Sequence, residues 1–210
     1  MDMIQVASPI LGERVLTQSH SPMIQIAMTV EQFLEQRGEM PEGGQWAELH
    51  GGVPVFLEPP DVDHGTVVLN LSKALADYFQ KSPIGYACFD LGLQLDLHPA
   101  VVLFPAISVY VGGAMFAETD QTISQRIPNW IVDLASTPDR RVLMADRIAR
   151  WRSWGIQEVW TIDPKALQLQ IHSDQGPQEI HGQDGIACAI SLPGFQIPIP
   201  DLFRVPDWAR

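Results

Sequence analysis

The run Trp130-Ile131-Val132-Asp133-Leu134-Ala135 carries one acid in the middle of an otherwise apolar, largely β-branched stretch. Such a stretch forms a strand buried on at least one face. An unpaired carboxylate there costs on the order of several kcal/mol, so Asp133 must meet a cation, a metal or a proton inside the core. A second strand of the same build is expected over 101–111, but its small central residue is Ala106, directly after Pro105. One core strand with an acid and one without it constrain both the fold and the chemistry.

The chain has 210 residues, 46% hydrophobic and 18% charged, enough for one domain with a sizeable core. Residues 1–27 show no periodicity and are expected to form an N-terminal arm; 28–210 are expected to form the domain. The net charge of −12 opposes non-specific nucleic-acid binding, which rests on clustered Lys and Arg, while leaving room for a local basic groove. Cys88 and Cys188, both in strand-like settings, are expected to be reduced core thiols. No apolar run approaches the roughly 18 residues a membrane helix requires. The beginning of the chain, with Asp2, Pro9, Glu13 and Arg14, lacks a signal-peptide core, so a cytoplasmic protein is expected.

Thr29-Val30-Glu31-Gln32 is a capping box, followed by a short helix with Val30, Phe33 and Leu34 on one face. A hairpin is expected across Gly51-Gly52, joining 46–50 to 53–57. Val67, Leu71, Leu75 and Tyr78 give 62–81 a helical stripe. Strands follow over 85–97, 101–111 and 128–135, then a helix over 138–154 stopped by Gly155, then a closing set of strands. The order predicts an α/β (α+β) domain, a central mixed sheet flanked by helices.

The helix after Asp133 is the informative one. At helical spacing Met144, Ile148, Trp151 and Trp154 form the stripe that meets the sheet, and Arg147 falls inside it. This helix carries five of the thirteen basic residues, Arg140, Arg141, Arg147, Arg150 and Arg152. Arg141 and Arg152 can be solvated, whereas Arg147 must snorkel or pair. A planar guanidinium held against a sheet suits two carboxylates, and Asp133 lies on the strand that feeds the helix. Two readings share this geometry: a structural buried ion pair and an active centre.

At these residues the chain resembles the Uma-two family of restriction-endonuclease-like proteins, within the PD-(D/E)XK nuclease superfamily. The resemblance rests on Thr29 to Leu34, Glu48-Leu49-His50-Gly51-Gly52, Glu58-Pro59-Pro60 with His64, Pro105-Ala106-Ile107-Ser108-Val109, the stretch from Pro128 to Ser136, and Gly155 to Pro164. Leu192-Pro193-Gly194-Phe195 and Asp201-Leu202-Phe203 complete it. It implies a restriction-endonuclease-like core and a site that holds Mg²⁺ or Mn²⁺ between carboxylates, a backbone carbonyl (here that of Leu134) and water, to cut phosphodiesters. Glu48 matches the family's early glutamate and Asp133 its second-motif acid. The central acid falls at Ala106 and the catalytic lysine at Arg147.

The departures decide the functional expectation. Ala106 has no ligand atom, Asp133 is one methylene shorter than the usual glutamate, and Arg147 keeps the positive charge of lysine but cannot be deprotonated. The chain is therefore expected to be a metal-dependent DNA endonuclease homologue with a degenerate metal site, weak or inactive, in which Arg147 bridges Asp133 and Glu48. Two alternatives stand beside it: a non-catalytic interaction or dimerisation module that keeps the nuclease fold, and an active nuclease with a relocated acid. By strand alternation Asp90 and Asp96 share a face and are the candidates for that acid. Glu48, His50 and His64 offer a two-His-plus-Glu set, but no metal-ligand spacing such as H-E-x-x-H supports it. His172 and His181 are expected to face water, and the tryptophans to pack in the core. DNA contacted through the arginine-rich helix, and a second copy of the chain, are the expected partners.

Overall fold

Alternation along Trp130–Leu134 sorts the molecule into layers: Trp130, Val132 and Leu134 enter one core cluster, while Ile131 enters another on the opposite face. Asp133 shares the parity of Ile131, so its carboxylate faces the second layer. The computed structural model describes residues 27–118, 120–181 and 185–207. The arm expected over 1–27 lies almost wholly outside the described residues.

In chain order the elements are α1 (Val30–Gln36), β1 (Ala47–His50), β2 (Val53–Phe56), α2 (Val62–Lys81), β3 (Gly85–Phe89), β4 (Gly92–Leu97), β5 (Ala100–Leu103), β6 (Ile107–Val111) and β7 (Ile123–Ser124). There follow β8 (Trp130–Leu134), α3 (Pro138–Ser153), β9 (Glu158–Asp163), β10 (Gln168–Ser173), β11 (Gly176–His181), β12 (Ile186–Cys188), β13 (Gln196–Pro198) and α4 (Ile199–Leu202). A six-stranded sheet runs β11-β10-β9-β8-β6-β3, and a five-stranded sheet runs β2-β1-β5-β4-β7. This is the mixed α/β architecture expected from the element order.

The capping box forms as predicted: Gln32 N–H donates to Thr29 Oγ1, and Thr29 N–H donates to Gln32 Oε1. Val30 and Phe33 are buried by it, while Leu34 is 40% exposed, so the predicted three-residue face narrows to two. Helix α2 buries Val67, Leu71 and Leu75 against β6, β8 and β9, with the C-terminal residues Leu192, Phe195 and Leu202 closing the same cluster. β8 and β9 pair in parallel, so the chain must cross over between them, and α3 is that crossover. It packs Trp151 on the opposite face, with Ile131, Val159 and the β4–β5 residues Leu93 and Leu103.

Two predicted strands are each broken in two. The stretch 85–97 divides at Asp90-Leu91, and 101–111 divides at Phe104-Pro105-Ala106; in both cases one half belongs to each sheet. Proline has no N–H to offer a ladder, which is why a strand stops at Pro105. Asp90 turns the chain with φ of +50°, a conformation that asparagine and aspartate tolerate better than most. The two breaks lie side by side, with Phe89 opposite Ile107 and the Asp90 N–H 3.4 Å from the Ala106 carbonyl oxygen. The sheets thus part along a cleft whose walls are chain crossovers.

Three smaller expectations are corrected. Both cysteines are free, but Cys188 is exposed and Cys88 half-buried, because β12 is a short edge strand with only Ala187 facing inward. His172 is half-buried rather than solvated, with Nε2 3.2 Å from Thr161 Oγ1; the side chain of His181 lies outside the described residues. Trp130, Trp151 and Trp160 are fully buried as expected, whereas Trp46 and Trp154 are only half-buried.

Candidate functional site

Helical periodicity aims four residues of α3 inward, Arg140, Met144, Arg147 and Trp151, spaced at four, three and four. The stripe expected from sequence is therefore displaced: Ile148 and Trp154 flank it half-buried, and Arg140, not singled out from sequence, heads it. Arg147 is 1% exposed and lies over Asp133 of β8 and Glu48 of β1.

The guanidinium joins the two sheets. Arg147 Nε donates to Asp133 Oδ2 at 2.7 Å and Nη2 donates to Oδ1 at 3.2 Å, a bidentate fork. Nη1 donates to Glu48 Oε2 at 2.5 Å, and Nη2 also reaches the Phe104 carbonyl at 3.3 Å. Trp151 Nε1–H supplies Asp133 Oδ2 with a further donor at 3.0 Å. The Phe104 N–H donates to Glu48 Oε1 at 2.9 Å, and His50 Nε2 lies 2.9 Å from Glu48 Oε2. Phe104, the first residue of the crossover, is thus held through both its N–H and its carbonyl. This matters because each charge at such depth needs nearly all its hydrogen-bonding capacity filled.

The electrostatics follow from the contacts. Burial pushes the Glu48 carboxyl upward, but Arg147, His50 and the Phe104 amide outweigh it and hold the pKa at about 2. Burial disfavours the charged form of Arg147, and the Asp133 and Glu48 charges more than offset this, so its pKa lies above the ordinary arginine value. The centre is one cation shared between two anions.

Beside it opens a cleft of about 100 Å³, whose lining includes Ala106, Glu48, Asp133, His64, Arg140, Arg37 and Asp90. His64 lies in the first turn of α2, whose N-cap Asp61 accepts its N–H, and His64 Nδ1 lies 2.9 Å from Ser136 Oγ in the turn before α3. Burial and then the neighbouring Arg140 charge lower the His64 pKa to about 4, against the opposing pull of Asp133 and Asp61. The imidazole is therefore neutral at physiological pH. Because its folded pKa is depressed, the stability it contributes is present above pH 6.5 and is lost as pH falls through about 4. In an NMR titration the His64 ring resonances should move near pH 4, and Arg140→Gln should shift that midpoint upward. A midpoint near the free-histidine value would contradict the burial of this ring.

Asp90 and Asp96, paired by alternation in the sequence reading, do not share a site. The break at Asp90-Leu91 and a register shift between Gln94 and Asp96 separate them. Asp90 reaches the cleft beside Ala106, whereas Asp96 lines a different depression with Arg150 and Trp154. Although Asp90 is largely accessible, burial of its carboxyl raises its pKa, against the pull of Arg140 and Arg37. His50 bonds to Glu48 and His64 to Ser136, so the two histidines do not converge as one ligand set.

As arranged, this donor set does not suit Mg²⁺ or Mn²⁺. Mg²⁺ demands about six oxygen ligands in near-octahedral array. The Glu48 and Asp133 carboxylates are committed to Arg147, position 106 carries a methyl group, and Arg140 and Arg37 set further guanidiniums in the cleft lining beside Asp90. Among the described residues, no group of three or more His, Cys, Asp or Glu side chains is placed to hold a metal ion. The Leu134 residue, whose carbonyl the family resemblance assigns to a metal, pairs with Ile162 in the β8–β9 ladder. Among the described residues no helix is long and apolar enough to cross a membrane.

The architecture has relatives among solved structures. A protein from Anabaena variabilis titled "putative nuclease belonging to DUF820" aligns over 84% of this chain and 97% of its own, with a TM-score of 0.67 and 19% identity. That likeness establishes a shared fold. No curated protein matches the chain. A family model, Uma2, described as "Putative restriction endonuclease", matches residues 30–209, a span that takes in Glu48, Asp133, Arg147 and the whole cleft. With both sheets, the crossover helix and the buried charge centre inside that match, the chain belongs to the Uma2 family.

Proposed function

We propose that this chain is a nucleic-acid-directed member of the nuclease fold in which Arg147 has taken over the place of the metal, leaving phosphodiester cleavage weak or absent. The observation that carries the reading is the Arg147 fork, which engages Asp133 through two nitrogens and Glu48 through a third. A divalent ion entering between these carboxylates has to displace a buried cation that is already neutralised by both. A guanidinium that stays protonated can stabilise charge but cannot accept a proton from attacking water, so the chemistry of a lysine at this position is lost as well.

Asp90 favours a second reading, an active nuclease with a relocated ligand, because its carboxyl lies in the cleft beside the empty Ala106 position. Arg140 opposes that reading, since it faces the same space with a positive charge. Plasmid nicking in Mn²⁺ separates the two. The wild-type chain should cut no faster than Asp133→Asn, whereas the double variant Ala106→Asp, Arg147→Lys should cut on the order of a hundredfold faster than wild type, the usual scale for restoring one group that stabilises transition-state charge. Wild-type nicking that Asp90→Asn abolishes would instead establish the relocated acid.

A further inference from the structure

Arg140 is 6% exposed, its Nε has no hydrogen-bond partner, and among the described residues no carboxylate forms an ion pair with it. A guanidinium buried to this depth ordinarily pairs with an acid, because desolvating a charge without compensation is unfavourable by several kcal/mol. Every other arginine of α3 follows that rule: Arg141 pairs with Asp163, Arg147 with Asp133 and Glu48, Arg150 with Asp146, and Arg152 with Asp174. Arg140 alone on this helix is left open, and it opens into the cleft.

The surroundings suit an anion. Arg140 lies in the first turn of α3 and His64 in the first turn of α2, so the positive ends of two long helices meet here, tied by the His64–Ser136 contact. Arg37 also lines the cleft, its position fixed by donation to the Gly44 carbonyl and by stacking 4.2 Å over the Phe104 ring. Arg147 answers one of the two charges of Glu48 and Asp133. Arg140 and Arg37, neither of them in an ion pair among the described residues, stand against that remaining charge and the carboxyl of Asp90 at the rim. A space of about 100 Å³ leaves room for a tetrahedral oxyanion.

We infer that the cleft is a metal-independent binding site for a terminal or free phosphate group, held by the guanidiniums of Arg140 and Arg37. The inference rests on the reading above, that no divalent ion occupies the cleft. The chemistry is common to free phosphate and to the phosphorylated end of a nucleic acid, and the two are separated by probe.

Calorimetry of the full chain in EDTA, with inorganic phosphate and with a short oligonucleotide bearing either a 5′-phosphate or a 5′-hydroxyl, tests the site. Saturable phosphate binding is expected, with Kd on the order of 0.1–1 mM. A 5′-phosphate that binds about tenfold tighter than the 5′-hydroxyl would make the nucleic-acid end the occupant; equal affinities would make it free phosphate. Arg140→Met should weaken phosphate about 10- to 100-fold while leaving the thermal midpoint equal or higher, because it removes an unpaired buried charge. Asp90→Asn should tighten phosphate by about tenfold, since it removes an opposing carboxyl at the rim. No saturable heat up to about 10 mM phosphate, unchanged affinity in Arg140→Met, or a lowered midpoint in that variant would each overturn the inference. Nicking by the wild-type chain in Mn²⁺ would remove the metal-free reading, whereas absence of phosphate binding in EDTA removes only this site.

Discussion

Arg147→Ala should unfold in urea with about 3–5 kcal/mol less stability than wild type, a large share of the roughly 5–15 kcal/mol that holds an ordinary domain together. The reason is not the loss of attractive contacts alone. Removing the cation leaves Asp133 and Glu48, 1% exposed each, as two buried anions whose remaining side-chain and amide contacts among the described residues are those to Trp151, the Phe104 amide and His50. Arg147→Lys keeps a charge but cannot form the fork to Asp133 while reaching Glu48, so its loss should be smaller and still measurable. Replacing all three charges at once by Gln, Asn and Met should recover most of the stability, since an apolar or neutral substitute for a whole buried ion network is often tolerated. A loss under about 1 kcal/mol in Arg147→Ala would mean that water or another cation already serves the two acids. Hydrogen exchange adds a spatial check: the Phe104 amide is clipped by this network, so its protection should fall before that of the β8 amides.

Much of this centre was legible because its parts break local rules. Asp133 announced itself as an acid inside an apolar strand, and Arg147 as a cation inside an apolar helical stripe, and only their mutual pairing resolves both anomalies. The helix α2 matches its predicted span of 62–81 residue for residue, because a capping aspartate and a long apolar stripe act locally. What local pattern could not supply was the division between sheets. The stretches 85–97 and 101–111 read as continuous strands, and their halves part only because β5 pairs with β1 and β4 with β7, while β6 pairs with β8 and β3 with β6. Pro105 and the Asp90-Leu91-Gly92 sequence carried the signal, each a known interruption of a ladder. Arg140 was equally accessible in principle: it lies seven residues before Arg147 and four before Met144, on the same face. The opposing signals are that first-turn residues usually reach solvent and that no apolar neighbour precedes Arg140 to extend the stripe.

Acid should weaken the fold in a window set by Glu48. Its pKa falls from 4.5 to about 2 on folding, so the carboxylate's contribution is fully present above pH 4.5 and disappears as pH drops toward 2. A displacement of that size corresponds to about 3 kcal/mol, at 1.36 kcal/mol for each pH unit. Other carboxylates titrate over the same range, so the raw acid curve does not isolate the effect; the comparison with Glu48→Gln does. That variant begins less stable at pH 7, because a neutral amide answers Arg147 poorly, but it has no buried carboxylate to protonate. Its stability should therefore decline less steeply between pH 4.5 and pH 2, and the two curves should converge at the acid end. Parallel curves would mean that the Glu48 charge is not what couples the β1 strand to Arg147, and the geometry at Glu48 Oε2 would then owe its stability to the hydrogen bonds alone. Convergence would locate the acid sensitivity of the two-sheet junction in a single side chain, the one residue of the charge centre supplied by the smaller sheet.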